Sequence, residues 1–179
     1  YGGKYAYNFT DALRLSTMYQ HTDAELDHAQ PKSAATSTNE RDEDILSVKL
    51  DYTPGDTFQL FVKGYWHWWD AYYNETNTAP SGPPVVVSDG EFWGFEDYGA
   101  NILAKFASSA GIEYFLGYDF QRYNGQDDVL LIAPLSESVQ APFAQIRTTS
   151  ELFPKVQLAA GVRHNEPDNG ESATVWSAS

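Results

Sequence analysis

The sequence predicts an all-β fold, an antiparallel transmembrane β-barrel of which this chain supplies about nine strands. Three observations lead there. Apolar and polar residues alternate with period two along most of the chain, so each segment needs one apolar and one wet neighbour. Closures alternate in length: tight turns at 11–12, 54–57, 108–111 and 150–154 take turns with long polar connections over 24–44, 77–96 and 125–137. Outer-membrane barrels have that asymmetry, with short periplasmic turns and long external loops. Aromatic residues make up 15% of the chain and fall in two bands, as interfacial girdles do. Phe9, Tyr52, Phe58, Phe106 and Tyr114 lie beside the tight turns, and Trp66, Trp68, Tyr118 and Phe120 lie further along.

The elements follow in order. Residues 4–9 read as a first strand, and Leu13, Leu15 and Tyr19 alternate with Arg14, Ser16 and Gln20 in a second. Leu46, Val48, Leu50 and Tyr52 alternate with Ser47, Lys49 and Asp51 in a third; Phe58, Leu60, Val62, Trp66 and Trp68 with Gln59, Lys63 and His67 in a fourth. Tyr98, Ala100, Ile102, Ala104 and Phe106 form the fifth row, and Ile112, Tyr114, Leu116, Tyr118 and Phe120 the sixth. Residues 139–148 give a seventh strand, Val156, Leu158, Ala160 and Val162 an eighth, and 173–177 a ninth, with Asn169-Gly170 as a turn signal. A strand rising about 3.3 Å per residue at a tilt near 45° climbs roughly 23 Å in ten residues, close to the apolar band of about 25 Å on a barrel.

Composition narrows the function classes. A net charge of −14 argues against nucleic acid, which attracts Lys and Arg. There is no cysteine, hence no disulfide frame and no thiolate metal site. The longest uninterrupted apolar run, 129–135, is too short for a spanning helix, so membrane crossing would fall to strands. The absence of an initiating Met, and a last strand still running at Ser179, make both ends read as cuts. Asn8-Phe9-Thr10 and Asn74-Glu75-Thr76 match the glycosylation tripeptide, a pattern common by chance.

The phrase Glu137-Ser138-Val139-Gln140-Ala141-Pro142-Phe143-Ala144-Gln145, a short turn, and then Val156-Gln157-Leu158-Ala159-Ala160-Gly161-Val162-Arg163 resembles a hairpin of TonB-dependent outer-membrane receptors. Phe92-Trp93-Gly94-Phe95-Glu96-Asp97-Tyr98-Gly99-Ala100-Asn101 and Gly117-Tyr118-Asp119-Phe120-Gln121 look like barrel strands of that family, and His164 stands where an aromatic is usual. The resemblance implies a barrel of about twenty-two strands around a plug. It also implies a place in the outer membrane of a Gram-negative bacterium and import of a scarce nutrient such as a siderophore or cobalamin chelate. The implied partners are that small-molecule nutrient, outer-membrane lipid and lipopolysaccharide, and TonB acting through the plug. Residues 1–179 are then part of one transmembrane barrel domain, with the plug and the closing strands outside this chain.

In that picture the rows opposite the apolar ones face an enclosed lumen, and Tyr65, His67 and Trp69 become the ligand-binding candidates, three ring-bearing side chains on one face of a strand. They suit stacking and hydrogen bonding to a chelate or a sugar, and equally packing against the plug or neighbouring strands. His21, Asp23, Glu25 and Asp27 share the outward face by the same period and read as a solvated extension above the apolar band, with a hard cation on the carboxylates as the alternative. No metal-ligand motif, nucleophile elbow, phosphate loop or dinucleotide fingerprint is present, so neither a transition-metal site, a cofactor nor an enzyme is expected. Two alternatives share the strand pattern: a secreted carbohydrate-binding β-sandwich module, whose Trp and Tyr stack on sugar rings, and a passive porin-type channel.

Overall fold

The computed structural model describes residues 1–29, 35–77 and 82–179. Nine strands follow one another as β1 (Gly2–Asn8), β2 (Leu13–Ala29), β3 (Ala35–Gly55), β4 (Phe58–Asn77), β5 (Val85–Ala107), β6 (Ile112–Asp127), β7 (Ile132–Thr148), β8 (Ala159–Pro167) and β9 (Ala173–Ala178). Each pairs antiparallel with its neighbour in sequence, giving a single meander with β1 and β9 at its two edges.

The sheet is open and uncurled, and this corrects the expected transmembrane barrel. Among the described residues β1 and β9 make no pairing with each other, so no wall closes around a lumen. The resemblance to TonB-dependent receptors therefore fails at the feature that defines their fold. Nutrient import, the outer-membrane location, and contact with lipopolysaccharide and TonB all require closure, and the open sheet does not support them. The physical reason for the difference is that period-two alternation reports only that a strand has two unlike faces. An open antiparallel sheet satisfies that as well as a barrel does. Closure adds one edge pairing, which has no local sequence signature.

The aromatic bands also have a local explanation. Near the tight turns Tyr52 and Phe58 meet edge-on with centroids 6.3 Å apart, and Phe58 and Phe106 lie 5.0 Å apart across β4 and β5. These are cross-strand ring pairs, a common way to stabilise antiparallel neighbours.

The long connections expected over 24–44, 77–96 and 125–137 are largely strand. β2 and β3 stay in register from Leu13↔Tyr52 through Asp23↔Asp42 to Ala29↔Thr36, and β5 reaches back to Val85. Of those stretches, 30–34 and 78–81 lie outside the described residues. At the other end, β8 begins at Ala159, so Val156 and Leu158 precede it.

The two faces differ in character. One carries Leu15, Val48, Leu50, Val62, Ile102, Leu116 and Val162 and is the apolar face; the other carries Arg14, Lys49, Lys63, Tyr65, His67, Trp69, Asp97, Asp119 and Gln121 and is the mixed face. Ala71 and Ala141 are the buried apolar residues among those described, while Leu116 stays 54% exposed. The sheet is held by backbone ladders and cross-strand pairs rather than by a sealed core.

Candidate functional site

The mixed face gathers its aromatic rings where β4, β5, β6 and β7 run side by side. Register sets Trp69 beside Phe95, Phe95 beside Gly125 and Gly125 beside Leu135, and it pairs Trp93 with Asp127 and Tyr123 with Glu137. Strand alternation then puts Trp69, Trp93, Tyr123, Asp127, Leu135 and Glu137 on one side. They line a cleft of about 420 Å³, with Gly94, Gly125, Gln126 and Ile132 completing it. Gly125 forms a low floor: a Cβ there would only just touch Phe95, so a side chain at this position would fill the cleft.

Trp69 is fixed by three neighbours. Its ring meets Trp93 at 6.1 Å and Phe95 at 5.2 Å, both nearly perpendicular, and the Arg41 guanidinium sits 5.0 Å from its centroid. Edge-to-face pairs and a cation over the ring each contribute about 0.5–1.5 kcal/mol and fix the indole's orientation. Arg41 in turn donates to Glu43 at 3.0 Å, and His67 Nε2 lies 2.7 Å from the same carboxylate.

The three candidates read from the sequence, Tyr65, His67 and Trp69, do lie in one row on this face, but the structure gives them different surroundings. Trp69 lines the cleft. His67 packs edge-on against Phe95 at 5.1 Å and is occupied by Glu43. Tyr65 donates to Asp97 at 3.3 Å, and Gln121 donates to the same carboxylate at 3.1 Å. Burial, followed by the charge of Asp97, pushes the Tyr65 phenol well above the usual tyrosine range. The same two causes raise Tyr123, the phenol beside the cleft. Both rings therefore stay neutral hydrogen-bond donors at any ordinary pH. Tyr65 fits flat because its partner is Gly99, where a Cβ would lie 2.8 Å from the Tyr65 ring.

Trp93, Tyr123, Asp127 and Glu137 were not singled out from the sequence as ligand-binding. The signal was present in the alternation of Trp93, Phe95 and Asp97 about Gly94, but the partner strands that complete the cleft are distant in sequence. The Trp93 indole nitrogen is buried without a hydrogen-bond partner among the described residues, a donor short of an acceptor.

The apolar face turns polar toward the far end of β2, β3 and β4. There Trp66, Trp68, Asp44, Asp70, Phe92, Glu96, Asn124 and Ser136 line a wider cleft of about 690 Å³, whose back wall is shared with the first at Gly94 and Gly125. Trp66 donates to Glu96 at 2.8 Å, and Asn124 donates to the other oxygen of that carboxylate at 3.1 Å. Burial, then the charge of Asp42, raises the Asp70 carboxyl above its ordinary value. The row of His21, Asp23, Glu25 and Asp27 lies on this face, but it does not act as a ladder along β2. His21 instead meets Asp44 and Asp42 across the β2–β3 pair, at 3.1 and 3.5 Å. The Tyr19 hydroxyl donates to Asp44 at 2.6 Å; that bond lowers the Asp44 carboxyl and is the first cause raising the phenol to about 12.

No protein-family model matches this sequence, and no curated protein matches it either.

Proposed function

We propose that this chain is a carbohydrate-binding β-sheet module whose mixed-face cleft takes one or two rings of a neutral saccharide. The observation that carries this reading is the convergence of Trp69, Trp93 and Tyr123 with the carboxylates of Asp127 and Glu137 around one cleft. A sugar ring has an apolar C–H face and a rim of hydroxyls. Indole and phenol rings match the face, and the carboxylates match the rim. The volume falls in the range of small-molecule sites, roughly 300–1,000 Å³. The unpartnered Trp93 N–H gains an acceptor when a sugar hydroxyl arrives. His67 acts one layer back: through Glu43 and Arg41, and by packing on Phe95, it holds Trp69 in place, while Tyr65 is tied to Asp97. The chain is a binder and not a catalyst on this reading, and the described strands act as one layer rather than as the two sheets of a sandwich. A passive channel is disfavoured because it requires a closed wall.

The test is titration of the full chain with a panel of neutral oligosaccharides, followed by tryptophan fluorescence and calorimetry. At least one sugar binds and quenches the indoles without being cleaved. Trp69→Ala and Trp93→Ala each weaken it by about 30-fold, the equivalent of about 2 kcal/mol for a central anchoring ring. A panel with no binder, or binding indifferent to both substitutions, overturns the reading.

A further inference from the structure

We propose that His21, Asp42 and Asp44 form a divalent-cation site of the zinc class on the apolar face, at the rim of the Trp66–Trp68 cleft. The backbone builds it: β2 and β3 pair His21 directly with Asp44 and bring Asp42 two residues along the same face. The ligand atoms of all three lie within 4.8 Å of one another, with His21 Nδ1 at 3.1 Å from Asp44 and 3.5 Å from Asp42. Zinc holds nitrogen and carboxylate oxygen at about 2.0–2.2 Å, so two ligands on a tetrahedral edge stand about 3.3 Å apart. The two separations from His21 bracket that value. The donor set points the same way, because an imidazole nitrogen with two carboxylates suits zinc-class ions, whereas calcium and magnesium seek all-oxygen shells.

Two further observations point to an occupant. Asp42 has Asp23 directly opposite it on β2 and Asp70 directly opposite on β4, a row of like charges across three strands. Such a row is destabilising until a cation joins it, and among the described residues His21 is the one basic group in contact with it. The cleft supplies the second: Asp44 is one of its walls, so a cation held there borders an open space of about 690 Å³. Three protein ligands leave a coordination position open for water or for an oxygen donor lodged in that cleft. The outer shell is present too, since the Tyr19 hydroxyl pins Asp44 and the Tyr1 ring packs 4.8 Å from the His21 ring.

The experiment uses the metal-stripped full chain, Zn²⁺ titrated by calorimetry and in competition with a chromophoric chelator, and Co²⁺ added as a spectroscopic probe. One equivalent of Zn²⁺ binds tightly; His21→Ala and Asp44→Asn each weaken it by more than about tenfold, and Tyr19→Phe by about tenfold. His28→Ala and His164→Ala leave it unchanged. Circular dichroism confirms that each variant keeps its sheet. The Co²⁺ spectrum of the unmutated chain shows the intense visible bands of a four-coordinate ion, an outcome independent of any variant. Several weak equivalents that His21→Ala does not alter, or a Co²⁺ spectrum of octahedral weakness, overturn the proposal.

Discussion

Glu113 shows how this sheet stabilises charge without a core. The residue is 8% exposed, yet its carboxylate sits on the mixed face between Lys105 Nζ at 2.6 Å and Arg147 Nε at 2.9 Å. Hydrogen bonds from Lys105, then Arg147, hold it below the ordinary carboxylate range against the opposing effect of burial. Because the folded value is the lower one, the stabilisation is fully present above the unfolded-state pKa of about 4.3 and is lost as pH falls through the folded pKa. Glu113→Gln leaves two cations facing an amide, so urea denaturation at pH 7 shows a loss of about 1–3 kcal/mol. The gap between the two proteins narrows on acidification from pH 5 to pH 3. A gap that stays constant over that range shows that the carboxylate charge is not what matters at this position.

At the scale of the strand, the sequence was informative about faces and poor about ends. The alternation in β4 set Tyr65, His67 and Trp69 on one side, and the register confirms that they share it. The same alternation continues into Glu25, Asp27, Glu40 and Asp42, but there both faces are polar, and polarity alone points to a loop. Backbone pairing is indifferent to that polarity. The β2–β3 ladder continues through carboxylates because its amides and carbonyls still need partners. Likewise Val85, Val86 and Val87 are strong strand formers that the preceding Pro83 and Pro84 disguised as the tail of a connection. Of the cleft, Trp69 was legible and its companions were not, because Trp93, Tyr123 and Glu137 come together only through the pairing of β5, β6 and β7. Hydrogen exchange checks the extension directly. Ladder amides over residues 40–44 are protected comparably to those over residues 46–50 of the same strand, and exchange at free-loop rates there would return the segment to a connection.

An open sheet has two edges and two faces to manage, which a closed wall does not. β1 carries Lys4, a charge of the kind that discourages edge pairing, whereas β9 reads Ala-Thr-Val-Trp-Ser-Ala, has no charge, and leaves Trp176 76% exposed. An uncharged, β-branched and aromatic edge is a template for another strand. The net charge of −14 opposes association at low ionic strength and is screened within about 10 Å at 0.1 M salt. Self-association of the 179-residue chain through β9 therefore rises with both protein concentration and salt. Val175→Lys places a charge on that edge strand and suppresses the association, while the circular dichroism of the sheet is unchanged. Light scattering across a salt series measures it. Scattering that is equal in the two proteins locates the contact on the apolar face instead, where Leu116 and Val48 stand exposed, and Leu116→Lys then becomes the substitution that removes it.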